Sequence, residues 1–244
     1  LDALREIARG RRLRLLTVGE AGDAIRLHAA QPLPDGLALT MTAFGARHDI
    51  HLPLPGRFQA DNALLAAALA VGAGQPADRV LAVLPHLAGV RGRMERAAVL
   101  GNGAAVYVDF AHTPDALERL LAALRPHTAG RLHVLFGAGG DRDPGKRPLM
   151  GAAAAAAAEV VWITDDNPRS EDAAAIRAAV LAGAPGAIDA GAREAAIATA
   201  MSDLRPGDVL AVAGKGHESG QEIAGIVHPF DDATVVRRLA GAAP

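Results

Sequence analysis

Four short stretches of this sequence concentrate the residue types that bind and react. The first is Asp109-Phe110-Ala111-His112-Thr113-Pro114-Asp115. Thr113 directly before Pro114 reads as the cap and first residue of a helix, because proline tolerates the position whose amide has no helical partner. Asp109 and His112 follow an apolar run. They suit contacts to a nucleotide or a metal-linked group, and loop-anchoring hydrogen bonds account for them equally well.

The second stretch, Gly137-Ala138-Gly139-Gly140-Asp141-Arg142-Asp143-Pro144-Gly145-Lys146-Arg147, nearly matches the phosphate-binding pattern G-x-x-x-x-G-K-[ST]. That reading fails on charge and on chemistry. Arg147 stands where a hydroxyl must hold Mg²⁺, and Asp141 and Asp143 set two negative charges where phosphate oxygens would lie. The glycines are instead expected to let the backbone turn sharply and approach a ligand, with Arg142 available to a carboxylate or phosphate.

The third stretch is Thr164-Asp165-Asp166-Asn167-Pro168-Arg169-Ser170. A turn with Ser170 capping the next helix explains it. So does a binding role, in which Arg169 forks onto a carboxylate while Asp166 or Asn167 meets an ammonium group, a pairing that suits an amino-acid head. The fourth, Gly214-Lys215-Gly216-His217-Glu218, exposes backbone amides beside glycine and offers Glu218 as a further acceptor for an ammonium group. His217 reads equally as a hydrogen-bonded structural histidine or a catalytic one.

These stretches follow apolar runs that the sequence predicts as strands over 104–110, 131–136, 160–164, 187–189 and 208–213. Between and after them, helices are expected over 114–125, 146–159, 171–182, 192–203 and 232–240. Strands alternating with helices at this spacing imply βαβ units and a mainly parallel, Rossmann-like sheet, in which ligands bind beyond the carboxyl ends of the strands. The alanine run 152–158 fits a helix packed closely on that sheet. Upstream the pattern differs. Strand-like stretches at 12–18, 24–30, 36–43 and 47–54 precede two helices at about 60–72 and 76–84, each ended by Gly or Pro. The expected division is therefore 1–90, the incomplete end of one domain, and 91–244, a second domain.

Half of the 244 residues are hydrophobic, enough to build such cores. A formal charge of −2 with scattered Lys and Arg carries no footprint for nucleic acid or an anionic membrane, which leaves small molecules as the expected partners. The absence of Cys excludes thiolate metal sites and fits a reducing compartment, so a cytoplasmic location is expected. No apolar run approaches the roughly 20 residues that span a bilayer, and Leu1-Asp2-Ala3-Leu4-Arg5-Glu6, without a charged region followed by an apolar one, is not expected to act as a signal peptide.

In this order and on these strands, the motifs resemble the Mur ligase family. The match runs through Gly92-Arg93-Met94-Glu95, Asp109 to Asp115, Gly139 to Met150, Asp165 to Arg169 and Gly214 to Glu218. Gly56-Arg57-Phe58-Gln59-Ala60-Asp61-Asn62-Ala63-Leu64 resembles the end of the family's central ATPase domain more loosely. Asp166-Asn167-Pro168-Arg169 is similar to the tetrad of the branch that adds meso-diaminopimelate to UDP-N-acetylmuramoyl-L-alanyl-D-glutamate in peptidoglycan synthesis. The resemblance implies that Arg142, Asp166, Asn167, Pro168, Arg169, Gly214 and Glu218 bind the incoming amino acid. It also implies that Asn62, Arg93, Asp109 and His112 face ATP.

Family chemistry implies that ATP phosphorylates a D-glutamate carboxylate and the amine of diaminopimelate attacks the acyl phosphate, with Mg²⁺ neutralising the phosphates. No residue here is assigned as general base or metal ligand. The family's phosphate-binding loop, carbamylated lysine and UDP-sugar domain are expected upstream of Leu1, so this chain alone is expected to be inactive. Phe110 stands where Tyr is usual in the family, and Ser219-Gly220 replace the commoner residues after Glu218. Two other readings remain: a non-catalytic module that binds an amino acid or nucleotide, and a sibling ligase that adds lysine or another amino acid.

Overall fold

The computed structural model describes residues 2–241. They form two compact units, divided between residues 88 and 89.

The first unit opens with helix α1 (Asp2–Gly10) and builds a four-stranded sheet from β1 (Val18–Gly19), β2 (Ile25–Leu33), β3 (Gly36–Ala43) and β4 (Ala46–Leu52), in that order. Helices α2 (Arg57–Gly72) and α3 (Ala77–Val83) follow. Alternation along β3 turns Leu37, Leu39, Met41 and Ala43 to one face, where they share a core with Ala60, Ala63, Leu64 and Ala67 of α2. β3 and β4 pair antiparallel through Phe44 and Gly45, both with positive φ (49° and 91°), the backbone a two-residue hairpin with right-handed twist requires.

One expectation is corrected in this unit, and one element was not anticipated. Of the strand read at 12–18 only Val18–Gly19 pairs; Leu13 and Leu15 are 59% and 41% exposed, because an alternating pattern becomes a strand only beside a partner. The helix at Asp2–Gly10 stands where no element was read.

The second unit contains β5 (Glu95–Val99), β6 (Ala105–Asp109), α4 (Pro114–Leu124), β7 (Leu132–Phe136), α5 (Lys146–Ala157), β8 (Val160–Thr164) and α6 (Ala173–Leu181). It continues with β9 (Ile188–Gly191), α7 (Arg193–Ser202), β10 (Val209–Ala213), the hairpin β11 (Gly220–Ile223) and β12 (Ile226–Pro229), and α8 (Asp232–Leu239). The sheet order is β5-β6-β10-β7-β8-β9, parallel except for β5. This is the mainly parallel Rossmann-like sheet expected.

Strands covered on both faces are largely apolar, and β7 and β10 are buried along their whole lengths, with His133 the polar side chain of β7. Leu117, Leu121, Met150, Ile176 and Val180 of α4, α5 and α6 cover one face against Val134, Phe136 and Ile163. Ala196, Ile197, Val235 and Val236 of α7 and α8 cover the other against Val108, Leu135 and Leu210. Each fully buried Leu or Ile contributes about 1.5–3 kcal/mol. α4, α5 and α6 lie on one face and α7 and α8 on the other, so the connections change sides around β10, where a crevice opens beyond the carboxyl ends.

Thr113 caps α4 as expected, its side chain accepting from the Ala116 amide. Ser170 does not cap α6. Asp172 does, through the Ala174 and Ala175 amides, while the Ser170 hydroxyl donates to Asp141. Strand β5 and the hairpin β11–β12 were not read in the sequence; their short stretches pair with neighbours rather than carrying a strong alternation of their own.

Candidate functional site

The loops after β6, β7, β8 and β10 enclose a cavity of about 240 Å³. Arg142, Asp166, Asn167, Arg169, Gly214 and Glu218 all line it, as does His112. Pro168 does not. Its carbonyl oxygen lies where a Cβ on Gly140 would stand, 1.9 Å away, and Gly137 is pressed as closely on the Thr164 carbonyl at 2.3 Å. Neither glycine has a positive φ. Gly137 and Gly140 therefore serve close packing of one loop on the next, Gly137 and Gly139 also line the cavity, and the left-handed backbone of this loop falls at Asp141 (φ 52°).

Arg169 also has a left-handed backbone (φ 53°), a conformation that costs a side-chain-bearing residue roughly 1–2 kcal/mol. The hairpin holds it there: the Arg169 amide donates to the Glu222 carbonyl at 3.1 Å, and the Ala224 amide donates to the Arg169 carbonyl at 2.8 Å. Its guanidinium is oriented from two sides, Nη1 donating to the Gly140 carbonyl at 2.7 Å and Nε lying 3.3 Å from Glu222 Oε2. With Nε facing Glu222 and one Nη1 hydrogen on the Gly140 carbonyl, the remaining Nη hydrogens are the donors that a carboxylate in the cavity would meet.

Asp166 Oδ1 accepts the Asn167 amide at 2.7 Å, and its carbonyl accepts Gln221 Nε2 at 2.6 Å. The Asn167 side chain is committed within the protein: Oδ1 accepts Lys215 Nζ at 2.9 Å and the Glu222 amide at 3.0 Å, while Nδ2 donates to Glu218 Oε2 at 3.0 Å. Lys215 Nζ also reaches Glu218 Oε2 at 3.2 Å. Cations from Arg142, Lys146 and Arg169 and anions from Asp166 and Glu218 thus border one volume. Both signs of charge around a small cavity match a zwitterion better than a phosphate.

At the end of β6, both Asp109 carboxylate oxygens accept backbone amides, Met94 and Ala111, each at 2.8 Å. Burial pushes this carboxyl above its ordinary range against the pull of those amides. Asp109 thereby ties its own loop to the segment before β5, where Met94 is left-handed (φ 45°). Phe110 is a hub: the Arg93 guanidinium lies 4.7 Å over its ring, and the His112 and His217 rings lie 4.6 and 5.3 Å away. His112 Nδ1 meets the Phe110 carbonyl at 2.8 Å, and Lys146 Nζ donates to the His112 carbonyl at 3.1 Å. Asn62 lies on α2 of the first unit, its Nδ2 3.5 Å from Gln59 Oε1.

Sequence reasoning passed over Lys215, Lys146, Phe110 and Arg193. Lys215 stood in a motif too short to weigh, and its partner Asn167 is 48 positions away. Arg147, which spoiled the phosphate-loop pattern, is buried and pairs with Glu171 at 2.8 Å.

Residues 92–216 match the model of the Mur ligase family's glutamate ligase domain. Over 228 residues the chain is 54% identical to the UDP-N-acetylmuramoyl-L-alanyl-D-glutamate–2,6-diaminopimelate ligase of Caulobacter vibrioides, an alignment covering 93% of this chain and 47% of that protein. It is 52% identical to the Bradyrhizobium diazoefficiens ligase of the same name, covering 93% and 47%. A solved structure of a ligase so named superposes with a TM-score of 0.80 at 33% identity, covering 98% of this chain and 50% of that one. A Mycobacterium tuberculosis folylpolyglutamate synthase complexed with ADP and AMPPCP shares the fold at a TM-score of 0.63 and 22% identity, covering 100% and 53%. The chain spans about half the length of the curated relatives it matches.

Proposed function

The chain belongs to the Mur ligase family, and on that premise we propose that it carries the amino-acid-binding domain of an ATP-dependent ligase that adds meso-diaminopimelate to UDP-N-acetylmuramoyl-L-alanyl-D-glutamate. The observation that carries this reading is the convergence of Arg142, Asp166, Arg169, Gly214 and Glu218 on one cavity bordered by both signs of charge. Diaminopimelate has a second carboxylate that lysine lacks. Arg169 supplies its partner through the guanidinium hydrogens that Glu222 and Gly140 do not engage. Asp166 and Glu218 serve the ammonium groups.

In this scheme ATP phosphorylates the D-glutamate side-chain carboxylate, the neutral amine of diaminopimelate attacks the acyl phosphate, and phosphate leaves as the amide forms. The chain holds the nucleophile, so its share of the rate is orientation. Arg93 and His112, gathered about Phe110, are assigned to the nucleotide; Asp109 holds the two segments that carry them through the Met94 and Ala111 amides. Asn62 stays a proposed nucleotide contact on the first unit. We assign residues 1–88 to the end of the central ATPase domain, and the reaction to the cytoplasm. Mg²⁺ would neutralise the phosphates, but no group of three carboxylate or imidazole side chains among the described residues could hold a metal ion, so it enters no step assigned here. Among the described residues no helix is long and apolar enough to cross a membrane.

Calorimetric binding of meso-diaminopimelate and L-lysine, to wild type and to Arg169→Ala, tests the reading. Wild type is expected to prefer diaminopimelate by about 10- to 100-fold, the worth of one charge-assisted pair, and Arg169→Ala to lose that preference. Equal wild-type affinities would sink it.

A further inference from the structure

We infer that Lys215 is a positioning residue for the amino-acid site, its buried ammonium holding Asn167 and Glu218 in the geometry that presents Glu218 to a ligand's ammonium group. The inference rests on the proposed amino-acid reading of the cavity.

Lys215 follows β10 between two glycines with left-handed backbones, Gly214 (φ 112°) and Gly216 (φ 56°). Neither flank has room for a side chain: a Cβ would lie 2.8 Å from Asp166 Oδ2 at the first and 2.8 Å from the Phe110 Cβ at the second. The loop is thus pressed between its neighbours, and the Lys215 side chain is 0% exposed.

Burying an ammonium group is costly, and an apolar side chain of similar volume would fill the space at lower cost. What an apolar side chain cannot do is orient two acceptors. Lys215 Nζ donates to Asn167 Oδ1 at 2.9 Å and to Glu218 Oε2 at 3.2 Å. The first bond, with the one from the Glu222 amide, sets which end of the Asn167 amide is oxygen, and so turns Nδ2 onto Glu218 Oε2 at 3.0 Å. Glu218 Oε2 therefore takes two internal donors, and Oε1 remains for the cavity that Glu218 lines. Glu218 is 38% exposed and would otherwise be free to swing toward solvent.

The test is steady-state kinetics of the full-length gene product with Lys215→Met and Lys215→Gln, alongside Asn167→Ala and the Lys215→Met/Asn167→Ala double variant. Lys215→Met is expected to raise KM for diaminopimelate about 10- to 100-fold, with KM for ATP unchanged and kcat within about 3-fold, because the lost contact is one of binding. Lys215→Gln keeps a shorter donor and is expected to fall between wild type and Met; it carries the test if Lys215→Met does not fold. The double variant should lose no more than the larger single effect, since both residues act through Glu218. A KM for diaminopimelate unchanged in both Lys215 variants, or one that rises together with KM for ATP, overturns the inference and leaves the proposed function standing. A wild-type enzyme with no diaminopimelate-dependent turnover overturns both.

Discussion

Arg193 and Asp232 face each other as a two-point pair, Nε to Oδ1 and Nη2 to Oδ2, each at 2.8 Å, with both side chains 0% exposed. The pair joins the first turn of α7 to the first turn of α8. Arg193 Nη2 also donates to the carbonyl of Ala213, the last residue of β10, at 2.8 Å, and Nη1 to the carbonyl of Asp165, just past β8, at 3.4 Å. One guanidinium therefore clamps the ends of the two strands whose loops carry Asp166 and Lys215.

Asp232→Ala would leave that guanidinium buried without its partner, and the expected loss is about 3–5 kcal/mol in urea unfolding. Arg193→Met combined with Asp232→Leu should recover most of the stability, because apolar packing replaces a buried ion pair at little net cost. The double variant should still bind diaminopimelate more weakly than wild type, since the strand ends lose their common anchor. Wild-type affinity in the double variant would refute the clamp.

Two glycines separate packing from site geometry. A Cβ at Gly140 would lie 1.9 Å from the Pro168 carbonyl oxygen, and one at Gly183 would lie 1.8 Å from the Pro148 carbonyl oxygen. Either alanine variant must move backbone, so each is expected to destabilise by about 1–3 kcal/mol in thermal unfolding. Only Gly140→Ala displaces Pro168 and with it Arg169, whose Nη1 rests on the Gly140 carbonyl. Diaminopimelate affinity should therefore fall about 10-fold or more in Gly140→Ala, as misplaced contacts do, and hold in Gly183→Ala. Equal binding by the two variants would contradict this account of the loop.

A pH effect on stability is expected at the amino end of β7, inside the sheet. His133 is buried, Trp162 Nε1 donates to its Nδ1 at 3.4 Å, and its Nε2 lies 3.3 Å from Asp208 Oδ2 without the alignment of a hydrogen bond. Burial and then the nearby Arg131 guanidinium push the imidazole below its ordinary range, against the pull of Asp208. The folded state keeps the ring neutral while the unfolded chain takes a proton below about pH 6.5. More protons on the unfolded chain mean that stability, fully present above about pH 6.5, falls as pH drops from there through the depressed folded value. His133→Gln should flatten that part of the profile of Tm against pH; an unchanged slope would remove His133 as its source. Asp109 has the opposite sign, its raised carboxyl adding stability as pH falls toward about 3.9.

Much of the second unit was legible because its signals are local. Apolar runs of strand length, a proline at the first turn of α4 and glycines at strand ends act through neighbours a few positions away. The strand at Val160–Thr164 lies where the pattern put it, and Thr113 caps the helix it preceded. Where a local signal needed a distant partner to have meaning, the reading failed. The strand-like stretch at 12–18 found a partner only at its end, where Val18 pairs with Ile25, and Ser170 was drawn to Asp141, 29 positions away, leaving the cap to Asp172.

The same division runs through the site. Residue types and their order after each strand determined which side chains would gather at the carboxyl edge of the sheet, because strand direction in a parallel sheet carries every such loop to one end. Which of them remain open to a ligand was decided only by tertiary packing. Asn167 is saturated by Lys215, Glu218 and Glu222, and Arg169 is half-engaged by Glu222 and Gly140. The partners of Asn167 lie 48 to 55 positions away, so no local pattern encodes the bonds. Hydrogen-bonding capacity is finite, and a side chain's share left for ligand depends on which distant groups the fold brings within about 3 Å of it.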